Sequence, residues 1–274
     1  MRDLRDKTVL ITGAAHGLGR EMALAFAAAG SKVIVTDRDA AALEETLALL
    51  REAGRPAASY ALDVTDNGMI LDVRDHVQRE HGPLDVLVNN AGVAFGGPFT
   101  DVPLDEHHTT YRVNLLGQVA MTHAFLPGMF ARCEAHLVNV SSASGLIALP
   151  YATTYASSKW GVIGFSESLR EELRLLGHRH VAVTAVCPSY IDTGMAAGVR
   201  VPHLSRMLHA PDVARLVVRA VRKRQELVLT PWLVKLTPVS KGLLPPSWFR
   251  RTCDWLGITR SMSTWHGHSA PHEK

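Results

Sequence analysis

Short runs of consecutive apolar, often β-branched residues recur along the chain at 8–11, 32–36, 57–62, 86–89, 135–140, 181–186 and 226–229. Between them stand longer segments whose apolar positions return every three or four residues: 17–29, 40–53, 67–81, 105–130, 155–176 and 211–224. The first set predicts strands and the second predicts helices, by their side-chain periods. Pro211 followed by Asp212 suits the first turn of a helix. The strand runs are apolar throughout rather than alternating, as expected where helices cover both faces of a sheet. Strand–helix alternation with short connections therefore predicts one α/β domain with a doubly wound parallel sheet, covering roughly residues 1–230. Residues 231–274 then form an appended C-terminal extension, and no internal repeat is present.

At 274 residues, with 47% apolar and 20% charged residues, the chain can bury a large core, which excludes disordered and fibrous classes. Cys133, Cys187 and Cys253 lie far apart, fitting a reducing, cytoplasmic setting rather than a disulfide framework. The first strand begins almost at the N-terminus, so no cleaved signal peptide is expected. No run approaches the ~20 apolar residues needed to span a bilayer. The net charge of +3 hides an asymmetry: from Arg222 onward nine Lys and Arg face three acids, while residues 1–221 carry a balance of −3.

The segment Thr12-Gly13-Ala14-Ala15-His16-Gly17-Leu18-Gly19 follows a predicted strand and opens a predicted helix. Glycines there let the backbone turn tightly and approach a pyrophosphate, whose charge the helix N-terminus stabilises. The spacing is Gly-x3-Gly-x-Gly, distinct from the commoner Gly-x-Gly-x-x-Gly, and no Gly-Lys-Ser/Thr makes it a P-loop. Taken alone, such a turn is as often a plain tight turn as a nucleotide site. Asp37 ends the second strand, 18 residues after Gly19. A carboxylate there accepts hydrogen bonds from both hydroxyls of an adenosine ribose and repels a 2′-phosphate, which favours NAD over NADP. Arg38 could hold that phosphate and keeps NADP open; a helix N-cap is the other role for Asp37. Asp63-Val64, ending the third strand, is placed either to meet an adenine or to form an Asx turn.

With Asn89-Asn90-Ala91-Gly92, Ser142, Tyr155-x3-Lys159 and Pro188-x4-Thr193 in order after the glycine turn, the chain resembles the short-chain dehydrogenase/reductase family. Its C-terminal extension resembles that of the retinol and 17β-hydroxysteroid dehydrogenase branch. The resemblance implies a Rossmann-like sheet of about seven strands and hydride transfer to or from a nicotinamide. It implies cofactor contacts from the glycine turn (Gly13, His16, Gly17, Leu18, Gly19) and from Asp37, Arg38, Asp63 and Val64. Asn90, Ala91 and Gly92 would border the adenosine ribose. Pro188, Ile191 and Thr193 would frame the nicotinamide, with Thr193 bonded to the carboxamide. Ser189 stands where many members have Gly, which is compatible with the loop if its φ stays negative. Thr193 could equally be a helix cap.

Tyr155 and Lys159 are four apart on a predicted helix and so project from one face. A free phenol has a pKa of about 10, too high for a good base at neutral pH. An adjacent ammonium and an oxidised nicotinamide could lower it by ~3 units, which needs about 4 kcal/mol in a poorly solvated cleft. By resemblance, Tyr155 is the general acid/base, Lys159 also binds the nicotinamide ribose, Ser142 orients the substrate oxygen, and Asn114 completes a water-mediated proton relay to the lysine. The plain alternative is an amphipathic helix with the ring in the core and the amine in solvent. Ser141 and Ser144 compete with Ser142, and Tyr151 with Tyr155. The 14 histidines, including His266, His268 and His272, show no zinc-like spacing, and no metal is expected.

Residues 143–154 and 193–209 carry Leu146, Ile147, Leu149, Met195, Val199, Leu204, Met207 and Leu208, predicting an apolar substrate wall and a mobile lid. A steroid, retinoid or long-chain secondary alcohol, or its ketone, is the expected substrate. Trp232, Trp248, Trp255 and Trp265 share the extension with the positive excess, a composition suited to peripheral contact with a membrane surface. Pro231, Pro238, Pro245 and Pro246 break any long amphipathic helix there, and a subunit contact or a cap over the cleft is the alternative. No basic cluster on a recognised fold suggests nucleic acid. The family resemblance implies a homodimer or homotetramer through the helices at 105–130 and 155–176. A catalytically silent NAD(H)-binding sensor or scaffold of the same fold is the alternative function.

Overall fold

The computed structural model describes residues 1–265, 267 and 268. Seven strands, β1 (Thr8–Thr12), β2 (Lys32–Asp37), β3 (Ala57–Ala61), β4 (Val86–Asn89), β5 (Ala135–Val140), β6 (Val181–Pro188) and β7 (Leu227–Thr230), form one sheet in the order β3-β2-β1-β4-β5-β6-β7. Every neighbouring pair is parallel. Between the strands run α1 (Gly17–Ala28), α2 (Ala40–Glu52), α3 (Asn67–His81), α4 (Leu104–Tyr111), α5 (Gly117–Met129), α6 (Thr153–Leu175) and α7 (Ala210–Lys223). This is the Rossmann-like doubly wound sheet expected from the sequence, with a C-terminal extension.

The continuous apolar runs serve two cores. In register, Val9 and Ile11 pair with Val33 and Val35 and turn to one face, where Met22 and Phe26 of α1 and Val213, Val217 and Val221 of α7 cover them. Leu10, Ile34, Leu87 and Leu137 turn to the other face against Ile70, Val73 and Val77 of α3 and Met121, Phe125 and Met129 of α5. Every residue of β1, β4 and β5 is buried. Strand period and burial on both faces together explain why the pattern reads apolar without alternation.

Two segments depart from expectation. The stretch 105–130 is not one helix: a π-helical turn, Arg112–Leu116, separates α4 from α5. Inside that turn Asn114 is tied to the backbone of Val93, and just after it Gly117 is so close to Val64 that a Cβ would come within 2.9 Å of its side chain. These are tertiary contacts, which helical periodicity does not report.

In the extension, prolines do more than interrupt. Pro238 and Pro246 occupy the first turns of α8 (Thr237–Leu243) and α9 (Pro246–Trp255), where the missing N–H costs nothing. A 3-10 turn, Trp232–Leu236, precedes them. Among the described residues no helix is long and apolar enough to cross a membrane.

Candidate active site

The strand order reverses between β1 and β4, and a cavity of about 1030 Å³ opens beyond the C-terminal ends of the strands at that point. The glycine turn lies at one end. Gly17 has φ +52°, and a Cβ on Gly19 would collide with the Gly13 carbonyl oxygen, so neither position accommodates a side chain without strain. His16 precedes α1 without a side-chain cap, leaving the helix's first-turn N–H groups without an internal acceptor at the wall formed by Gly17, Leu18 and Gly19.

Asp37 ends β2 at the same wall. Its carboxylate accepts from the N–H of Ala15 at 3.0 Å and of Asp39 at 3.1 Å, which fixes it against the glycine turn. The helix-capping role belongs instead to Asp39, which accepts from the N–H of Ala42; that bond, with help from His16, holds its carboxyl below the usual range. Arg38 lines the wall and is exposed. Asp63 forms an Asx turn, accepting from both the N–H and the hydroxyl of Thr65 at 2.8 Å, and it lines the cavity beside Val64. Of the two roles weighed for this residue, the Asx turn is the one formed.

Asn90, Ala91 and Gly92 continue the wall from the end of β4. The Asn90 amide spends its hydrogens on the carbonyls of Thr12 and Gly13, at 2.9 and 3.0 Å, and so clamps the glycine turn to this second turn. Pro188, Ile191 and Thr193 close the far side. Ser189 stays out of the left-handed region and donates its N–H to Thr230, so serine is accommodated there without strain. Thr193 precedes a short 3-10 turn with no side-chain cap bond, and its methyl lies 3.3 Å from where a Gly17 Cβ would be.

Ser142, Tyr155 and Lys159 meet in the middle of the cavity. Ser142 follows β5, accepts from the Ser144 N–H at 3.2 Å, and has its hydroxyl near enough to that of Tyr155 to act on the phenol's titration. Lys159, one turn along α6, has its Nζ 5.7 Å from the centre of the Tyr155 ring and donates to the Val140 carbonyl at 3.0 Å. Of the competitors, Ser141 and Ser144 also line the cavity, but Ser141 donates to the Lys159 carbonyl and Ser144 is buried with its hydroxyl oxygen unpartnered, while Tyr151 is exposed at φ +64°.

Burial dominates the titration of both groups in the chain by itself. Loss of solvent pushes the Tyr155 phenol up, with only Ser142 opposing it. The same desolvation brings Lys159 down to about 8, with Cys187 opposing.

Asn114 is the one expected site residue that does not reach the cavity. Wholly buried in the π-helical turn, it accepts from Val93 N–H at 2.8 Å and donates to the Val93 carbonyl at 2.9 Å and to the Ser158 hydroxyl at 3.2 Å. It stands behind Gly92 as a support, its Oδ1 3.4 Å from where a Gly92 Cβ would sit, with Lys159 Nζ at 3.6 Å from the same point.

Beyond Tyr155 the cavity is lined by Leu149, Met195, Val199, Met262 and Trp265, and the last of these is an unexpected wall. Trp265 is not part of an outward tryptophan surface. It is 3% exposed, its indole donates to the Met195 carbonyl at 2.7 Å, and its ring stands edge-on to Tyr155 with centroids 6.0 Å apart. Leu149, Ala152, Ala156 and Met262 pack around it, with Tyr190 and Met195 at the margin. His268 follows and bonds the backbone of Ala94. Nothing in the local sequence marks Trp265 as different from Trp232, Trp248 and Trp255, which are exposed. His266 and His272 lie outside the described residues.

The chain matches the family model described as short chain dehydrogenase over residues 7–202. It is 34% identical over 260 residues to epidermal retinol dehydrogenase 2 of Mus musculus, covering 94% of this chain and 84% of that protein. It is 31% identical over 244 residues to estradiol 17-beta-dehydrogenase 11 of the same organism, covering 89% and 82%. Among solved structures, a short chain dehydrogenase/reductase from Burkholderia phymatum in complex with NAD superposes with a TM-score of 0.80 at 29% identity, covering 89% of this chain and 96% of that one. A glycine turn, an Asn-Asn-Ala-Gly turn and a Ser–Tyr–Lys cluster thus share one cavity at the switch point of the sheet, and the chain belongs to the short-chain dehydrogenase/reductase family of oxidoreductases.

Proposed function

We propose that the protein interconverts a hydrophobic secondary alcohol and its ketone, with NAD as hydride carrier. The observation that carries this reading is the single cavity that joins a phenol–hydroxyl–amine cluster to a glycine turn flanked by a strand-end carboxylate. The cradle fits a dinucleotide: side chains are excluded at Gly17 and Gly19, and the N-terminus of α1 and Asp37 offer donors and acceptors for pyrophosphate and ribose. Arg38 is the competing feature, and the anionic Asp37 makes NAD the preferred form over NADP.

When bound, a nicotinamide supplies the hydride donor or acceptor, and its oxidised ring adds positive charge that lowers the pKa of a nearby phenol. The chain's own residues do the rest. Ser142 orients the substrate oxygen, and Tyr155 gives or takes the proton at that oxygen. Lys159 supplies charge and binds ribose hydroxyls, while Asn114 acts through Gly92 and Val93 by holding the wall in place. The apolar lining from Leu149, Met195, Val199 and Trp265 suits a steroid, retinoid or long-chain alcohol. Residues 1–230 would be the catalytic unit and the extension from 231 its cap. A homodimer or homotetramer would cover the exposed Leu104, Leu116 and Val119, and a single-chain mass in light scattering would remove that part.

The purified protein with NAD and a panel of hydrophobic secondary alcohols should generate the absorbance of reduced nicotinamide. Tyr155→Phe should lower kcat by about 10²–10⁴-fold while NADH binding persists. Full turnover in that variant removes Tyr155 from its role. Tight NADH binding with no turnover on any alcohol or carbonyl leaves the silent nucleotide sensor instead.

A further inference from the structure

Between residues 232 and 255 six large apolar side chains stand in solvent: Trp232, Leu236, Val239, Leu243, Trp248 and Trp255. Single exposed apolar residues are ordinary on any protein, but a concentration of this kind in one short segment marks an interaction surface. Their spacing sorts them into rows. Leu236, Val239 and Leu243 follow at i, i+3 and i+7 along the start and length of α8, and Trp248 and Trp255 at i and i+7 along α9. Each row therefore occupies one helix face. The adjoining faces are already used: Leu236 at the boundary, Thr237 and Ser240 of α8, and Phe249, Thr252 and Cys253 of α9 line the catalytic cavity. Both helices thus divide an apolar chamber from an apolar exterior. Lys241 pins α8 to the body, its Nζ 3.5 Å from the centre of the Trp160 ring and donating to the Leu146 carbonyl at 3.1 Å. Exposed Leu204 extends the patch, sharing a recess with Arg206, Pro231 and Trp232.

Charge identifies the partner. Across residues 231–265 Lys235, Lys241, Arg250, Arg251 and Arg260 face a single acid, Asp254, whose carboxylate accepts from Thr259 at 2.8 Å. Among the described residues Lys235, Arg250 and Arg251 form no salt bridge. A second copy joined face to face would set like charge against like. Tryptophans and basic side chains around an apolar patch instead match the headgroup boundary of an anionic bilayer.

We propose that α8 and α9 form a membrane-docking surface that seats the protein on anionic lipid and turns the apolar end of the cavity toward the bilayer, so that substrate enters from the lipid phase. The entry of substrate rests on the function proposed above; the docking does not.

Flotation of the full chain with vesicles tests it, using phosphatidylcholine alone or with about one-third phosphatidylserine. The protein should float with the anionic vesicles, much less with the neutral ones, and be released as salt rises to about 0.3 M. Trp232→Ser/Trp248→Ser/Trp255→Ser and, separately, Lys235→Glu/Arg250→Glu/Arg251→Glu should each lose at least about ten-fold in vesicle partition. None of these six residues lines the cavity, so turnover of a short water-soluble alcohol should be unchanged. Should the triple tryptophan variant fold poorly, the charge variant decides alone. Wild-type protein that stays in bulk solution with anionic vesicles overturns the proposal, as does a folded variant that binds as well as wild type. Self-association abolished by the tryptophan substitutions, without vesicle binding, assigns the surface to a second copy. Vesicle binding by a protein with no oxidoreductase turnover upholds the docking and defeats only the catalytic reading.

Discussion

Truncation of Trp265 to alanine tests how the extension shapes the catalytic cavity. The indole is 3% exposed, bonds the Met195 carbonyl at 2.7 Å, and packs so tightly on Gly96 that a Cβ there would come within 2.5 Å of the ring. Removing a buried aromatic of this size costs about 3–5 kcal/mol. About 0.5–1.5 kcal/mol of that belongs to the edge-on pair with Tyr155. Folding stabilities run to about 5–15 kcal/mol, so the variant should still fold. At about 2–4 °C per kcal/mol for a chain of this size, a loss near 4 kcal/mol lowers Tm by about 8–16 °C. Thermal melting of the purified variant reads this directly. Because the indole walls the substrate chamber beside Tyr155, KM for the best wild-type substrate should also rise several-fold, while bulkier alcohols gain relative to it. Trp265→Phe keeps a ring against Tyr155 and should recover much of both effects. A Tm within about 2 °C of wild type, together with an unchanged order of substrate preference, would refute the reasoning and return Trp265 to the outer surface with its neighbours.

Asp37→Asn keeps the shape of the strand end but removes its charge. Losing hydrogen bonds to a charged acceptor is worth about 1.5–3 kcal/mol, so kcat/KM with NAD should fall about ten- to hundred-fold while that with NADP rises, Arg38 being at hand for the added phosphate. An unmoved NAD-to-NADP ratio would show that this carboxylate is not the discriminator. His136, wholly buried in β5 with Nε2 bonded to Thr184 and Nδ1 unpartnered, is pushed down to about 3 chiefly by desolvation, with the positive charge of Arg224 adding to it. The unfolded chain takes up this proton near pH 6.5 and the native chain does not, so stability present above pH 6.5 is lost as pH falls, by up to about 1.4 kcal/mol per pH unit. Denaturant melts at pH 7.5 and 5.5 should show that slope in the wild type and a shallower one in His136→Asn; equal slopes would mean that His136 does not carry it.

The strand and helix order, the two-faced core and the cofactor-side motifs were legible in the chain because each is written locally. A strand needs its own apolar run, a glycine turn needs its own glycines, and Tyr155 and Lys159 share a face by helical arithmetic alone. Asp37 follows from the end of its own strand run, whereas Asn90 and Ser142 rest on the spacing of the family resemblance, which alone separates Ser142 from Ser141 and Ser144. What local pattern could not carry was decided by packing. Asn114 follows the family's spacing, yet its side chain is consumed by Val93 and Ser158 behind the cavity wall. The break at 112–116 answers to those same contacts and to the closeness of Gly117 to Val64. Tyr155 has a charged neighbour in sequence, but its pKa follows the low-dielectric enclosure built by distant segments. Trp265 shares its composition with three exposed tryptophans and differs only in where the chain carries it: back across the cavity onto Gly96 and Tyr155. Spacing determines which side chains can stand together, whereas burial, and with it titration and the shape of the substrate chamber, depends on residues brought near by the tertiary fold.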